Sequence, residues 1–182
     1  MNATRHKAIL ILALAGVLLF VLIRGVVIPY KIERAQRYEQ EQQNPLTHHL
    51  SSILPYKNKY LGNASNLINL YGRLPLNGWE REFQLYPEQL KLQIQYRSSV
   101  DDPRRSEVEQ ALLYNSIAAF ALIDNLQAIE YRFPTESYLM TRTEIQELFG
   151  DDLAGLLTQE NWKSRVQDRL PDAAKTSPRF KQ

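Results

Sequence analysis

The chain has 182 residues, room for one ordinary domain and its appendages. Its 22 Lys and Arg nearly balance 20 Asp and Glu, and residues 45–160 carry 10 basic against 15 acidic side chains. A domain with that balance lacks the cationic cluster that displaces phosphate counterions, so nucleic acid is excluded as a partner. With no cysteine, disulfide scaffolds, thiol nucleophiles, thiolate metal sites and lipoprotein acylation are excluded together.

In chain order, residues 1–7 (MNATRHK) read as a short cytoplasmic leader, followed by 16 apolar residues from Ala8 to Ile23. After Arg24 the apolar run resumes as GVVIPY. At about 1.5 Å per residue, residues 8–30 reach roughly 35 Å, enough for a hydrocarbon core of about 30 Å. Arg24 can extend its stem to the headgroups, and Tyr30 suits the interfacial belt. We expect an uncleaved signal anchor through residues 8–30, with the lipid bilayer as its partner. The rival, a cleavable signal peptide, shares the basic start and apolar run but requires a small-x-small site, where the chain reads IRGVVIPYK. Arg5 and Lys7 favour an N-terminus inside and a domain outside, although Arg24, Lys31, Arg34 and Arg37 flank the other end.

Residues 31–54 read as stalk and linker. Lys31–Asn44 has good helix formers and mixed charge without apolar heptads, the pattern of a solvated helix rather than a coiled coil. His48 and His49 are adjacent, so they point apart and lack the i, i+4 spacing of metal ligands; they read as exposed loop residues. PYKNKYLGN (Pro55–Asn63) interleaves Tyr56 and Tyr60 with Lys57 and Lys59, a candidate contact for an anionic or carboxylate-bearing ligand or partner, unless the tyrosines fold inward in a simple turn.

Residues 55–158 are the expected extracytoplasmic domain. Ser65 is placed to cap a short helix closed by Gly72. Phe83 and Leu85 mark one strand; Leu90, Leu92, Ile94 and Tyr96, alternating with polar residues, mark the next. Ser106-x-x-Glu109 reads as a capping box opening a helix that runs through ALLYNSIAAFALI, with Asn125 at a left-handed C-cap. Thirteen residues span only about 20 Å, so this run is a core helix and not a second membrane span. Asn115, Asp124 and Asn125 are expected to be buried structural polar residues. Ile129–Phe133 and Tyr138–Met140 complete a sheet of about four strands, and Thr141-x-x-Glu144 caps a further helix. Residues 159–182 read as an amphipathic helix to Leu170 and a basic tail. The expected fold is α+β: a small antiparallel sheet packed on a central apolar helix, preceded by one transmembrane helix.

Tyr60–Ser65 leading into an apolar helix, then Asn115, FALIDN (Phe120–Asn125), IEYRF and TRTEIQELFG together resemble an uncharacterised bacterial family catalogued as domain of unknown function number 4825. The resemblance runs roughly from Tyr56 to Asp152. It implies an extracytoplasmic domain of a Gram-positive bacterium, held by an N-terminal anchor, and brings no catalytic residue with it.

The chain has no GxSxG, P-loop, GxGxxG or HExxH motif. A hydrolytic triad would depend on His48 or His49, and the acid pairs Asp101-Asp102 and Asp151-Asp152 read as turn and cap residues. No catalytic, cofactor or metal residues are assigned. The sequence therefore points to a non-enzymatic binding or sensing domain with a protein or cell-envelope partner. A structural subunit of a membrane complex, assembled through anchor and stalk, is the alternative; a carboxylate-based hydrolase is a poorer third.

Overall fold

The computed structural model describes residues 2–177 and 180, with backbone alone for residues 2–5, 8–11 and 102. Arg5 and the first four side chains of the expected span thus lie outside the described side chains, as does most of the end of the basic tail. The chain divides into two compact units, Met1–Gln40 and Glu41–Gln182.

The first unit is helical: α1 (Asn2–Leu22), a π-helical stretch at Ile23–Val27, and α2 (Ile28–Gln43), whose last turn belongs to the second unit. Every described side chain from Leu12 to Gln40 is exposed. By length and composition this is the one described helix able to cross a membrane, and none of its apolar stretch is buried. An exposed surface of Leu, Val, Ile and Phe on this scale marks a contact with a membrane or with another protein.

In the second unit, α3 (Ala64–Tyr71) leads to β1 (Arg81–Tyr86) and β2 (Lys91–Tyr96). Then come α4 (Arg105–Leu122), β3 (Ala128–Arg132), β4 (Ser137–Thr141) and α5 (Arg142–Phe149). A short α6 (Gln159–Asn161) continues into a π-helical turn, Trp162–Gln167, before α7 (Leu170–Thr176). The four strands lie in sequence order, so the α+β class and strand number agree with the sequence. The outer pairs are antiparallel, but β2 and β3 are parallel and the sheet is mixed. The reason is the connection: α4 lies between β2 and β3, and a helical crossover returns the chain parallel.

Alternation sets two inward rows across the sheet, Leu85–Leu92–Ile129–Met140 and Phe83–Ile94–Tyr131–Tyr138. Every residue of α4 from Ala111 to Leu122 is buried, whatever its face. Its alanines allow that, because small side chains let other elements approach closely.

Several local expectations are corrected. Asn63, not Ser65, caps α3, its Oδ1 accepting from Asn66 N–H at 3.1 Å. The helix α4 starts at Arg105 after a 3₁₀ turn, so Ser106 sits inside its first turn and no side chain caps it. It ends at Leu122 with Ile123 extended, and Asn125 is not left-handed. Thr141 and Glu144 do form the capping box. At the other end of α5, Gly150 adopts φ +100°, a conformation that favours glycine. The expected final helix breaks after Gln167, and a second helix, α7, runs into the expected tail; Pro171 in its first turn is compatible with a helix start. The second unit begins at Glu41, and His48, Leu50 and Ile53 are part of its core region.

A helix buried on all faces has no room to grow. Ala118→Leu is expected to destabilise the protein by about 1–3 kcal/mol, measured as a lower urea midpoint in mild detergent by the fluorescence of buried Trp162.

Candidate functional site

The last carbonyls of a helix have no partner within it. Those of α4 lie inside the domain, where the left-handed C-cap expected at Asn125 is not formed. Arg142, the first residue of α5, binds one of these carbonyls and two more just past the helix end. Arg142 Nε donates to Leu126 O at 2.7 Å, and its Nη2 donates to Phe120 O at 2.9 Å and Ile123 O at 2.7 Å. The guanidinium carbon lies 5.5 Å from the centre of the Phe120 ring. Burial lowers the pKa of this arginine and the Asp124 charge raises it. An arginine remains charged under both influences, and its charge suits the negative end of the helix.

The same helix end positions the Tyr56–Tyr60 loop. Asn58 N–H donates to Leu122 O at 2.8 Å and Asp124 N–H donates to Asn58 O at 3.1 Å, forming a short parallel bridge. Asn125 N–H reaches Lys59 O at 3.3 Å, and Asn125 Oδ1 accepts from Leu61 N–H at 2.7 Å. From α3, Asn66 Nδ2 donates to Tyr56 O at 2.7 Å. The backbone of the loop is therefore tied on both sides, while Lys57, Lys59 and Tyr60 point to solvent, Tyr60 with 67 % of its surface exposed. Tyr56 is different: it is half-buried and packs against the core.

Asn115 is fully buried, and its Nδ2 donates to Pro75 O at 2.9 Å. Asn125 is half-buried. Asp124 is exposed, which corrects its expected burial: it follows the helix end at the surface, where a carboxylate stays hydrated. Beside Asn115, the Ser116 hydroxyl donates to Leu112 O at 2.8 Å and lies 3.1 Å from the Tyr131 hydroxyl, itself 3.3 Å from that of Tyr71.

His48 is also corrected, from an exposed loop residue to one with 2 % of its surface accessible. Its Nε2 lies 2.9 Å from Arg73 O, its Nδ1 2.8 Å from Tyr114 Oη, and Trp162 Nε1 donates to that oxygen at 2.9 Å. Indole can only donate and a carbonyl can only accept. In neutral His48 the proton therefore sits on Nε2, and the Tyr114 hydroxyl donates to Nδ1. Burial lowers the His48 pKa to about 4, the bond to Arg73 O opposing it and the charge of His49 adding to it. His49 itself is exposed, with Nε2 3.3 Å from Glu41 Oε2.

One acid of each pair serves local structure. The Asp101 carboxylate receives Arg104, and Asp152 Oδ1 accepts from Gly155 N–H at 2.9 Å. The Asp102 side chain lies outside the described residues. Among the described residues, no three His, Asp or Glu side chains gather in a group fit to hold a metal ion. Glu130 and Glu136 are tuned by arginine. Burial would raise each carboxyl, but bonds from Arg132 and Lys91 to Glu130, and from Arg105 and Tyr138 to Glu136, bring both below the ordinary value.

With this geometry in place, the kinship of the chain has a structural meaning. The family described as Domain of unknown function (DUF4825) matches residues 53–145, and the chain belongs to it. No curated protein and no solved structure matches. The match takes in the 56–60 loop, α3, the whole sheet, α4 and the Thr141–Glu144 capping box. The phrases FALIDN and TRTE, far apart in sequence, meet where Arg142 binds Phe120 O and Ile123 O.

Two outcomes follow. Arg142→Ala takes the side-chain donor from Phe120 O and Leu126 O and leaves Ile123 O only the Leu126 N–H at 3.3 Å, and is expected to cost about 2–4 kcal/mol, with Arg142→Lys recovering only part because an ammonium lacks the planar fork. Urea midpoints measure both. His48 has a folded pKa below its unfolded value, so the unfolded chain binds more protons between pH 6.5 and about 4. Its contribution is fully present above pH 6.5 and is lost as pH falls. Between pH 7 and pH 5 the protein should lose about 2 kcal/mol through this group, and His48→Phe, weaker at pH 7, should lack that part of the slope.

Proposed function

We propose that this protein is a single-pass membrane-anchored binding or sensing domain that acts without catalysis, with residues 8–30 as signal anchor and the folded unit outside the cytoplasm. The observation that carries the reading is the pairing of an apolar helix, exposed along its length, with a domain whose 56–60 loop is immobilised at its backbone and open at its side chains. Preorganisation of that kind reduces the entropy lost when Lys57, Lys59 and Tyr60 engage a partner. The engagement of Glu130 and Glu136 by arginines supports the non-catalytic reading, while Glu109, the other described carboxylate with a perturbed pKa, is raised by burial and has Arg105 opposing that rise. Arg5 and Lys7 support the inside position of the N-terminus. The partner belongs to the cell envelope: a protein, a peptide or a wall component.

Because the chain has no cysteine, sidedness is read directly. With Ser99→Cys, an exposed position between β2 and α4, a membrane-impermeant thiol reagent should label intact cells as fully as lysed ones. Labelling only after lysis would contradict the external placement. A photo-crosslinking residue in place of Lys59 should give an adduct in intact cells, and no adduct at either Lys59 or Tyr60 would contradict the assignment of the loop.

A further inference from the structure

The charge of the folded unit is segregated along the chain. All 15 acidic residues of the 45–160 stretch lie beyond residue 79, whereas residues 45–79 contain Lys57, Lys59 and Arg73 and no acid. The exposed apolar side chains are segregated in the same way. Among the described residues from Glu41 onward the large ones are Leu54 at 38 %, Tyr60 at 67 %, Ile68 at 50 % and Leu139 at 41 %, so three of the four belong to the 54–68 stretch. Hydrogen bonds make that stretch one folded rim: Asn66 Nδ2 to Tyr56 O joins α3 to the turn before the loop, and Tyr60 N–H to Asn58 Oδ1 at 3.2 Å folds the loop on itself. Asp124 is brought beside the loop through its N–H, so one exposed carboxylate neighbours the two lysines and the balance stays cationic.

Isolated apolar residues on a surface are ordinary; apolar and cationic residues together on a stretch with no acid of its own are the composition that binds an anionic membrane interface. We propose that the rim of residues 54–68 docks on the surface of an anionic phospholipid bilayer, Lys57 and Lys59 meeting the headgroups and Leu54, Tyr60 and Ile68 entering the interfacial layer. The proposal rests on the membrane-anchored reading, which keeps the rim at high effective concentration near lipid and lets a weak patch suffice. It makes the lipid surface itself a partner of the domain, beyond the bilayer that receives the anchor.

The test uses the full chain in vesicles. At Gly62 a Cβ would meet nothing within 4 Å, so Gly62→Cys accepts a fluorophore at the rim without disturbing the fold. Glu107→Cys carries the control, exposed on α4 about 22 Å from its far end. Each is reconstituted into phosphatidylcholine alone or mixed with phosphatidylglycerol, both doped with a headgroup-borne quencher. Docking predicts that the Gly62 label is quenched several-fold more than the Glu107 label in the anionic vesicles and falls to the control level in neutral ones. It also predicts release by high salt and by Lys57→Glu with Lys59→Glu, with unchanged Trp162 emission as the folding check. Equal quenching of the two labels, or quenching indifferent to lipid charge and salt, would overturn the docking. Flotation of the vesicles is read first: a chain that does not float overturns the anchored reading and the docking with it, whereas a chain that floats without selective quenching overturns the docking alone.

Discussion

The fold depends on satisfying the carbonyl end of a helix that has no solvent around it. α4 is buried from Ala111 to Leu122, so the groups that an ordinary helix leaves to water must find partners in protein. Arg142 supplies donors to Phe120 O and to Ile123 O at the cap, together with a positive charge, and Asn58 donates to Leu122 O. Remove that solution and the cheapest escape is for the last turn of α4 to unravel, taking Phe120, Leu122 and Ile123 out of the core. Because Arg142 is also the first residue of α5, one side chain ties the crossover helix to the far edge of the sheet.

The external loop inherits its order from that internal arrangement. Asn58 and Lys59 are held by Asp124 and Asn125, which stand where they do because α4 stops at Leu122. The Asn125 side chain then fixes Leu61 and so the entry to α3. Core and surface are therefore coupled through hydrogen bonds: what stabilises the buried helix end also preorganises Lys57, Lys59 and Tyr60. The span shared with the family, residues 53–145, contains both sides of this coupling and leaves out the His48–Tyr114–Trp162 chain except for Tyr114.

Periodicity made most of this architecture legible. The 2-residue alternation in Leu90–Arg97 and the charge-free run in α4 led directly to a strand and a buried helix, and Thr141-x-x-Glu144 to a formed capping box. Cap preference alone misled at Ser65 and Ser106, because Asn63 competes for one role and the 3₁₀ turn before Arg105 starts the other helix early. The parallel pairing of β2 and β3 was implicit in strand–helix–strand order, but alternation reports which face is buried and says nothing of strand direction. Of the candidate contact residues, three are exposed and Tyr56 is half-buried, since a tyrosine is amphipathic and its local sequence does not settle its direction. Arg142 and His48 were beyond reach for another reason. Arg142 acts on carbonyls 16 to 22 residues earlier, and His48 pairs with a tyrosine 66 residues later. No local pattern announces such partners.

The bonds from Arg142 and Asn58 make the C-terminal end of α4 as stable as the middle of the core. Native-state amide hydrogen exchange tests it most directly, at the N–H groups of Asn58, Ile123 and Asp124. If Arg142 and the Asn58 bridge close this end, these amides exchange only through global unfolding, with the same free energy and denaturant dependence as amides in the centre of α4. Exchange through local fraying, fast and insensitive to denaturant while the helix centre stays protected, would contradict it.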